Sequence, residues 1–376
     1  MQVYPLQTMS LEAAMEAQFR LVDTIHRHFS GQEFLTAGDY GLSQGGRPRQ
    51  TAKVEAVLAQ YFGGEDAVLV RGAGTGALRL ALAAAVPPGA EILVHAAPIY
   101  PTTEATIAMM GLRPRTADYN ALDFSGELPD YALIQLSRQA PGDRYDAGQV
   151  MAALRARKPG ITIISDDNYV VMKLAQIGVG LGADLSTFSC FKLLGPPGVG
   201  CVVGKGELVE KIRRLNYSGG AQVQGPEAME VLRSLVYAPV SLAIQARQGD
   251  RIVQLLNRGA VPGVKEACIA NAQSRVVLVE FARPVARQVL AAADKYGCAT
   301  WPVGAESRYE VTAMFYRVSG TFLAEKPELA ETMIRINPMR AGADTVVRIL
   351  REIMASIEEG EWRTCFWKRR CSGIPD

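Results

Sequence analysis

The chain has 376 residues, of which 48% are hydrophobic, and its 40 basic and 38 acidic side chains give a formal net charge of +2. Nearly balanced charge gives no reason to expect a nucleic-acid partner, and the composition is that of a globular protein rather than a disordered or fibrous one. The length favours two to three structural units.

Membrane, metal and disulfide classes are also disfavoured. The longest near-continuous apolar stretch, residues 77–86, is far too short to span a bilayer, and the N-terminus lacks the pattern of a signal peptide. The six cysteines form no C-x-x-C pair, and three histidines offer little for a metal site. We therefore expect a cytoplasmic α/β enzyme with no metal and no membrane partner.

Short apolar runs alternate with helical stretches from about residue 50 to residue 205. The pattern predicts seven strands, at residues 67–71, 91–95, 113–117, 131–135, 161–164, 184–189 and 199–203. Such alternation is typical of a mostly parallel sheet with helices on both faces. Ligands of such sheets bind at the carboxyl ends of the strands.

The pattern changes after a long helix predicted over residues 227–257, which we expect to be interrupted near Pro239. A second, smaller α/β unit is predicted from two strands and two helices, at residues 275–281, 333–336, 284–296 and 343–358. We thus predict an N-terminal arm, a large domain, a small C-terminal domain and a tail, over residues 1–50, 51–255, 256–360 and 361–376.

The first candidate site is the glycine-rich turn Arg71-Gly-Ala-Gly-Thr-Gly-Ala77, between a predicted strand and a predicted helix. Its backbone N–H groups and the helix N-terminus favour an anion, and a phosphate is the expected guest. The turn also satisfies G-x-G-x-x-A, a dinucleotide fingerprint that needs an acidic residue after the next strand. That strand ends in His95-Ala96-Ala97, so a nicotinamide oxidoreductase is the weaker alternative. A purely structural role in helix packing stays open.

Two adjacent carboxylates, Asp166 and Asp167, follow the predicted strand at 161–164. Buried carboxylates are unfavourable without partners, and a protonated ring nitrogen or a metal ion would serve as one. No histidine lies nearby in the sequence, which disfavours the metal.

Lys192 stands just past another predicted strand, in an apolar and turn-rich segment. Desolvation there lowers the pKa of the amine and makes it a nucleophile toward aldehydes. Lys173 is the nearby rival, but its helix-like stretch favours a solvated surface position. A phosphate site, a carboxylate for a pyridine nitrogen and a buried lysine together predict pyridoxal 5′-phosphate (PLP) as the cofactor.

At these residues the chain resembles the fold-type I PLP-dependent enzymes, and most of all their Cys/Met-metabolism branch of cystathionine lyases and synthases and methionine γ-lyase. The motifs of that branch stand here as Asp167-Asn-Tyr169, in place of Asp-Asn-Thr, and as Gly182-Ala-Asp-Leu185 and Ser189-Cys-Phe-Lys192. As a whole the chain is similar to the aminotransferase-like bacterial YhfS group. The resemblance implies a fold-type I transferase architecture with a seven-stranded sheet and a smaller C-terminal domain.

The resemblance also implies how the cofactor is held. Lys192 would be the catalytic lysine that forms the Schiff base with PLP, and Asp167 would pair with the pyridine nitrogen. The remaining cofactor-binding residues would be Ser189 and the glycine turn at the phosphate, Tyr100 over the ring and Tyr40 on an arm toward the neighbouring subunit: Gly74, Thr75, Gly76, Tyr100, Ser189 and Tyr40.

In the small domain, Arg335 would bind the α-carboxylate of the substrate, and Ala305-Glu-Ser307 matches the family as well. Leu42 replaces the arginine of the family's Tyr-x-Arg arm. A homodimer or tetramer follows from the resemblance, not from residue spacing.

These features predict a PLP-dependent enzyme that acts on a small α-amino acid through a Cα carbanion, of a lyase or transferase type related to sulfur-amino-acid metabolism. The alternatives are an aminotransferase and a non-catalytic PLP-binding protein.

Overall fold

The computed structural model describes residues 2–41, 46–270, 275–303 and 306–371, without the side chains of residues 321, 325 and 360–371. Leu42 and Ala305, which the family resemblance singles out, lie outside the described residues.

The large sheet contains all seven predicted strands, with ends that differ by two residues at most. The strands are β1 Asp66–Arg71, β2 Glu91–His95, β3 Arg113–Ala117, β4 Tyr131–Gln135, β5 Thr162–Asp166, β6 Leu185–Ser189 and β7 Val199–Gly204. Their spatial order is β1-β7-β6-β5-β4-β2-β3. The pairs β2–β3, β2–β4, β4–β5 and β5–β6 are parallel, whereas β7 is antiparallel to both of its neighbours. The predicted mostly parallel sheet is therefore confirmed.

Nine helices precede or accompany this sheet in the described part of the chain. They are α1 Leu11–His28, α2 Gly31–Phe34, α3 Arg49–Phe62, α4 Ala73–Ala85, α5 Pro101–Met109, α6 Ala147–Arg157, α7 Gly178–Leu181, α8 Gly206–Leu215 and α9 Gly225–Asn257. Strand β1 shows how both faces are covered. Leu69 packs into a core with α1, α3 and α9, whereas its neighbour Val68 packs on the opposite side with α4 and α8.

A second, antiparallel sheet forms the smaller C-terminal domain, in the order β10-β11-β9-β8. Its elements are β8 Val264–Ile269, β9 Val277–Phe281, α10 Ala286–Ala293, β10 Met314–Arg317, α11 Gly320–Glu325, α12 Leu329–Thr332, β11 Met333–Asn337 and α13 Ala343–Cys371. Strands β8 and β10 were not predicted. Helix α13 runs past its predicted end at residue 358 into the predicted tail, and residues 372–376 lie outside the described residues.

One prediction for the helices was wrong, and the helices within residues 1–50 were not predicted. Residues 1–50 showed no clear pattern, yet α1 begins at the N-cap Ser10 and buries Ala14 and Leu21 on one face. The long helix is not interrupted near Pro239, because α9 continues through it. Buried side chains on both sides of this proline hold the two halves in one helix, although the proline removes one backbone hydrogen bond. No described helix has the length and apolarity needed to cross a bilayer.

Candidate active site

Strand direction brings three sequence motifs to one edge of the large sheet. Strand β6 is parallel to β5, and β1 points the same way because β7 runs antiparallel to both β1 and β6. The carboxyl ends of β1, β5 and β6 therefore share one edge. The glycine turn, Asp167 and Lys192 follow these three strand ends, which is where ligands of such sheets bind.

The glycine turn needs small residues because the backbone is tight and its neighbours are close. Gly72, the N-cap of α4, has a φ of 90°, which favours glycine. A Cβ atom on Gly74 would lie 2.4 Å from Oδ1 of Asn168, in the turn that follows β5. The N–H groups of Gly74 and Thr75 lie in the first turn of α4, where no acceptor exists within the helix. They are available to an anion.

Thr75 and Tyr100 connect this turn to the next helix. The Thr75 hydroxyl is 3.2 Å from that of Thr102 in α5. Tyr100 is the N-cap residue of α5 and is partly exposed. The first turns of α4 and α5 thus meet beside the site.

Asp167 is completely buried, and one of its carboxylate oxygens has no partner. Oδ2 accepts a hydrogen bond from the Gly178 N–H at 3.1 Å. Among the described residues, Oδ1 has no donor within hydrogen-bonding distance. Burial raises the pKa of Asp167 to about 7, although the Ser186 hydroxyl and the Gly178 N–H act to lower it. A protonated ring nitrogen would supply both the missing donor and the missing positive charge.

Asp166, in contrast, is fully engaged in local structure. Its Oδ1 accepts from the backbone N–H of Asn168 at 3.0 Å and from its Nδ2 at 2.7 Å. Asn168 in turn accepts from the backbone N–H of Ser189 at 3.0 Å. Asp166 therefore fixes the turn against the end of β6, and Asp167 is the carboxylate left for a ligand. Ser189 itself is buried at this point.

Lys192 lies in a short 3₁₀ helix, Phe191–Leu193, after β6. Its Nζ is 3.6 Å from the centroid of the Tyr169 ring. Burial lowers the pKa of this amine, while the nearby charges of Asp166, Tyr100 and Glu306 oppose the shift. The amine is thus more readily neutral, and more nucleophilic, than that of a surface lysine.

Lys173 is buried, so the prediction of a solvated surface lysine was wrong. Its Nζ donates to both carboxylate oxygens of Glu306 at 2.6 Å. Gln245 of α9 donates to Oε1 of Glu306 at 2.8 Å and accepts from Arg340 at 2.9 Å. This network joins the turn after β5 to α9 and the small domain. Sequence reasoning missed it because Glu306 is 133 positions away from Lys173.

Tyr169 was also missed as a site residue. It stands where the Cys/Met-metabolism branch has threonine, and its φ of 71° is unusual for a bulky side chain. That departure from the family motif was the one signal in the sequence that pointed to it.

Arg335 of β11 belongs to the same region. Its Nε donates to the Arg317 carbonyl at 2.6 Å, and its guanidinium lies 4.1 Å from the centroid of the Tyr316 ring. Burial lowers its pKa, against the nearby phenols of Tyr316 and Tyr169. Lys192 of the large domain therefore contacts the Tyr169 ring, and Arg335 of the small domain acts electrostatically on the same phenol.

Tyr40 is 79% exposed at the N-terminus of α9, where its neighbour Asp39 accepts a hydrogen bond from Gly225 at 3.0 Å. The structure does not bring it to the residues around Lys192. Its predicted role toward the phosphate of a neighbouring subunit stays a prediction.

The strand order argues against the nicotinamide alternative. Dinucleotide-binding folds place the glycine turn between adjacent parallel strands, whereas β1 lies beside β7 and antiparallel to it. At the end of β2, the carboxylate nearest His95 is that of Asp143, which is 2.9 Å from His95 Nε2 and also accepts from the backbone N–H of Ala140, so it is already engaged rather than free for a ribose.

Three family models match the chain. The model described as YhfS-like, C-terminal domain, matches residues 250–350, the aminotransferase class-V model matches residues 142–231, and the DegT/DnrJ/EryC1/StrS aminotransferase family model matches residues 41–128. A curated relative called "Uncharacterized protein YhfS", from Escherichia coli (strain K12), is 53% identical over 363 residues, which are 95% of this chain and 100% of the relative.

Solved structures give the same grouping. The pyridoxal-5′-phosphate-dependent protein YhfS from Escherichia coli has a TM-score of 0.93 at 53% identity and covers 95% of this chain and 100% of its own. Cystathionine gamma synthase from Xanthomonas oryzae pv. oryzae has a TM-score of 0.69 at 19% identity, covering 92% and 98%. The latter likeness concerns the fold alone, and it agrees with the predicted fold-type I class. This chain is a member of the YhfS family, with the fold of fold-type I PLP-dependent proteins.

Proposed function

We propose that the chain is a PLP-dependent enzyme that removes the Cα proton of a small α-amino acid, of a lyase or transferase type related to sulfur-amino-acid metabolism. One observation carries the proposal: among the described residues, Oδ1 of Asp167 is buried without a donor, at the same sheet edge as the partly buried amine of Lys192. The PLP dependence of the 53% identical YhfS protein supports it.

The residues present fit this cofactor. Lys192 would bind the aldehyde, and Asp167 would face the ring nitrogen and keep it protonated. The phosphate would meet the first-turn N–H groups of Gly74 and Thr75 together with Gly76 and Ser189, and Tyr100 would lie against the ring. When bound, PLP supplies an electron sink for the electron pair left at Cα.

The chain's own residues would then bind the substrate and move one proton. Arg335 would hold the α-carboxylate in a bidentate pair and so orient the Cα–H bond. The amine of Lys192, with its lowered pKa, would accept that proton as a general base.

An aminotransferase is the second candidate, because two aminotransferase family models match residues 41–128 and 142–231. Both candidates begin with the same proton removal. They differ in whether a substituent leaves the substrate or the amino group moves to another ketoacid. A non-catalytic PLP-binding protein is the remaining alternative.

A homodimer or tetramer in the cytoplasm completes the proposal. Three large side chains in or beside the N-terminal half of α9 are strongly exposed and suit a subunit contact: Leu35, Tyr40 and Tyr237. The four described cysteines are all free thiols, as suits a reducing compartment. The domain limits at residues 50, 255 and 360 belong to the same proposal, although α9 runs across the second of them.

The test is to add PLP to the purified protein, reduce with borohydride and map the labelled peptide. A label on Lys192 is expected, and a failure to form a reducible imine, or a label elsewhere, would contradict the proposal.

A panel of amino acids then separates the reactions. Ketoacid formed with ammonia release means a lyase, and transfer to a second ketoacid means an aminotransferase. No spectral change with any amino acid would mean a non-catalytic PLP-binding protein.

A further inference from the structure

The side chain that contacts the Lys192 amine is an aromatic ring. Nζ lies 3.6 Å from the centroid of Tyr169, which is well within the range of a cation–π contact. Tyr169 follows Asp167 by two residues, so the ring is carried by the same turn that presents the buried carboxylate. The family motif has threonine at this position, and a threonine offers no ring face to the amine.

The backbone at Tyr169 is held in an unfavourable conformation. Its φ is 71°, and Met172 in the same turn has a φ of 61°. Bulky residues rarely adopt the left-handed region, and such conformations persist where the surroundings hold them in place. An aromatic side chain does not lower the conformational strain of this backbone, so backbone geometry does not explain why a tyrosine stands here.

Several charged or titratable groups face the amine from the surrounding elements. They are Asp166 at the end of β5, Tyr169 in the turn after it, Tyr100 before α5, Glu306 from the small-domain side and Lys173, whose own charge Glu306 neutralises. Among the described residues no carboxylate forms an ion pair with Lys192 itself. The Tyr169 ring therefore contacts Nζ directly, and it can stabilise a positive charge there without forming a salt bridge.

We propose that Tyr169 is a positioning residue that holds the free amine of Lys192 in place and favours its protonated form. The proton taken from Cα then stays on Nζ and can be returned to the substrate. This inference rests on the proposed function. In the step concerned, the Cα–H bond breaks, its electron pair stays with the substrate on the cofactor, and the N–H bond forms on Nζ. The ring attracts the resulting ammonium without accepting its proton.

The first experiment uses the cofactor-free protein and needs no turnover. The pKa of Lys192 is measured by competitive acetylation over a pH series, with the Lys192 peptide quantified by mass spectrometry. The Tyr169→Leu variant removes the ring, Tyr169→Phe keeps it, and Tyr131→Leu at the amino end of β4 is the matched control. Tyr169→Asn, which tolerates a left-handed backbone, is a second ring-free variant should the leucine variant fold poorly.

Losing the ring should lower the pKa of Lys192 by about half to one pH unit, since the charged form loses its cation–π contact. The phenylalanine and Tyr131 variants should match the wild type. An unchanged or higher pKa in both ring-free variants would overturn the inference. So would an equal shift in Tyr169→Phe, because the hydroxyl rather than the ring would then be responsible.

A second readout follows the proton itself. With PLP and a Cα-deuterated amino acid that serves as substrate, the fraction of deuterium returned to Cα should fall in Tyr169→Leu and stay constant in Tyr169→Phe. If the wild-type protein forms no reducible imine with PLP, the proposed function fails. If it forms one and the ring-free variants show no change in pKa or deuterium return, only the role of Tyr169 fails.

Discussion

Two neighbouring turns each hold a lysine, buried in one turn and partly buried in the other, and the two amines have different surroundings. In the turn after β5, the Lys173 amine donates hydrogen bonds to both carboxylate oxygens of Glu306. In the turn after β6, Lys192 faces the ring of Tyr169 and forms no ion pair within the described part of the chain. Burial lowers the pKa of both amines. The comparison teaches that burial alone does not identify a nucleophile, because a paired amine is unavailable to an aldehyde.

The strongest test of this difference between the two lysines is to remove each amine in turn. Lys192→Ala should abolish the borohydride-reducible imine with PLP, whereas Lys173→Met should retain it, since Lys173 is held by Glu306. Peptide mapping after reduction gives the answer. A reducible imine in the Lys192→Ala protein, carried by Lys173, would show that the two roles were assigned the wrong way round.

The paired lysine should matter most for stability. Lys173→Met leaves the Glu306 carboxylate buried without its cation, which should lower the free energy of unfolding by about 3–5 kcal/mol. The double variant Lys173→Met with Glu306→Gln removes both charges and should be clearly closer to the wild type. Urea unfolding of the cofactor-free proteins measures this. Equal losses in the single and double variants would mean that the ion pair is not the cause.

The pH dependence of stability tests the environment of Asp167 in the turn after β5. Because burial raises its folded pKa to about 7 from an ordinary 3.8, this carboxyl destabilises the folded protein increasingly as the pH rises from about 4 to about 8. Asp167→Asn removes that effect. The cofactor-free variant should match the wild type near pH 4 and exceed its stability at pH 8, by at most roughly 4 kcal/mol.

With PLP bound, the wild type should be more stable than Asp167→Asn at pH 8, since only the carboxylate can pair with a protonated ring nitrogen. Unfolding at both pH values, with and without PLP, checks the prediction. A stability difference that does not vary with pH would contradict the buried, unpartnered state of Asp167.

The smallest expected effect is that of replacing Arg335 of the small domain on substrate binding. Arg335→Lys keeps the charge but loses the planar fork, so KM for an amino-acid substrate should rise about tenfold with a smaller change in kcat. Arg348→Lys, on the exposed face of α13, is the matched control. A fall in kcat with unchanged KM would place Arg335 in the chemical step rather than in substrate binding.

The parts of the site that sequence predicted are local in the chain. Asp167 and Lys192 are 25 positions apart, and each follows a strand that hydrophobic patterning located to within two residues. The Lys173–Glu306 pair could not be predicted in this way, because its partners meet only when the small domain packs on the large one. The reversed direction of β7 and the unbroken α9 also depend on tertiary packing, which periodicity does not record.

Helix α9 contributes to the interior of both halves of the molecule. Leu235 and Leu242 pack into the core beside the seven-stranded sheet, whereas Ile252 and Leu256 pack beside the four-stranded one. Neither domain can unfold without exposing to water apolar side chains that the other domain buries. Heating should therefore give a single calorimetric transition, and a chain divided between residues 242 and 252 would leave each fragment with an incomplete interior.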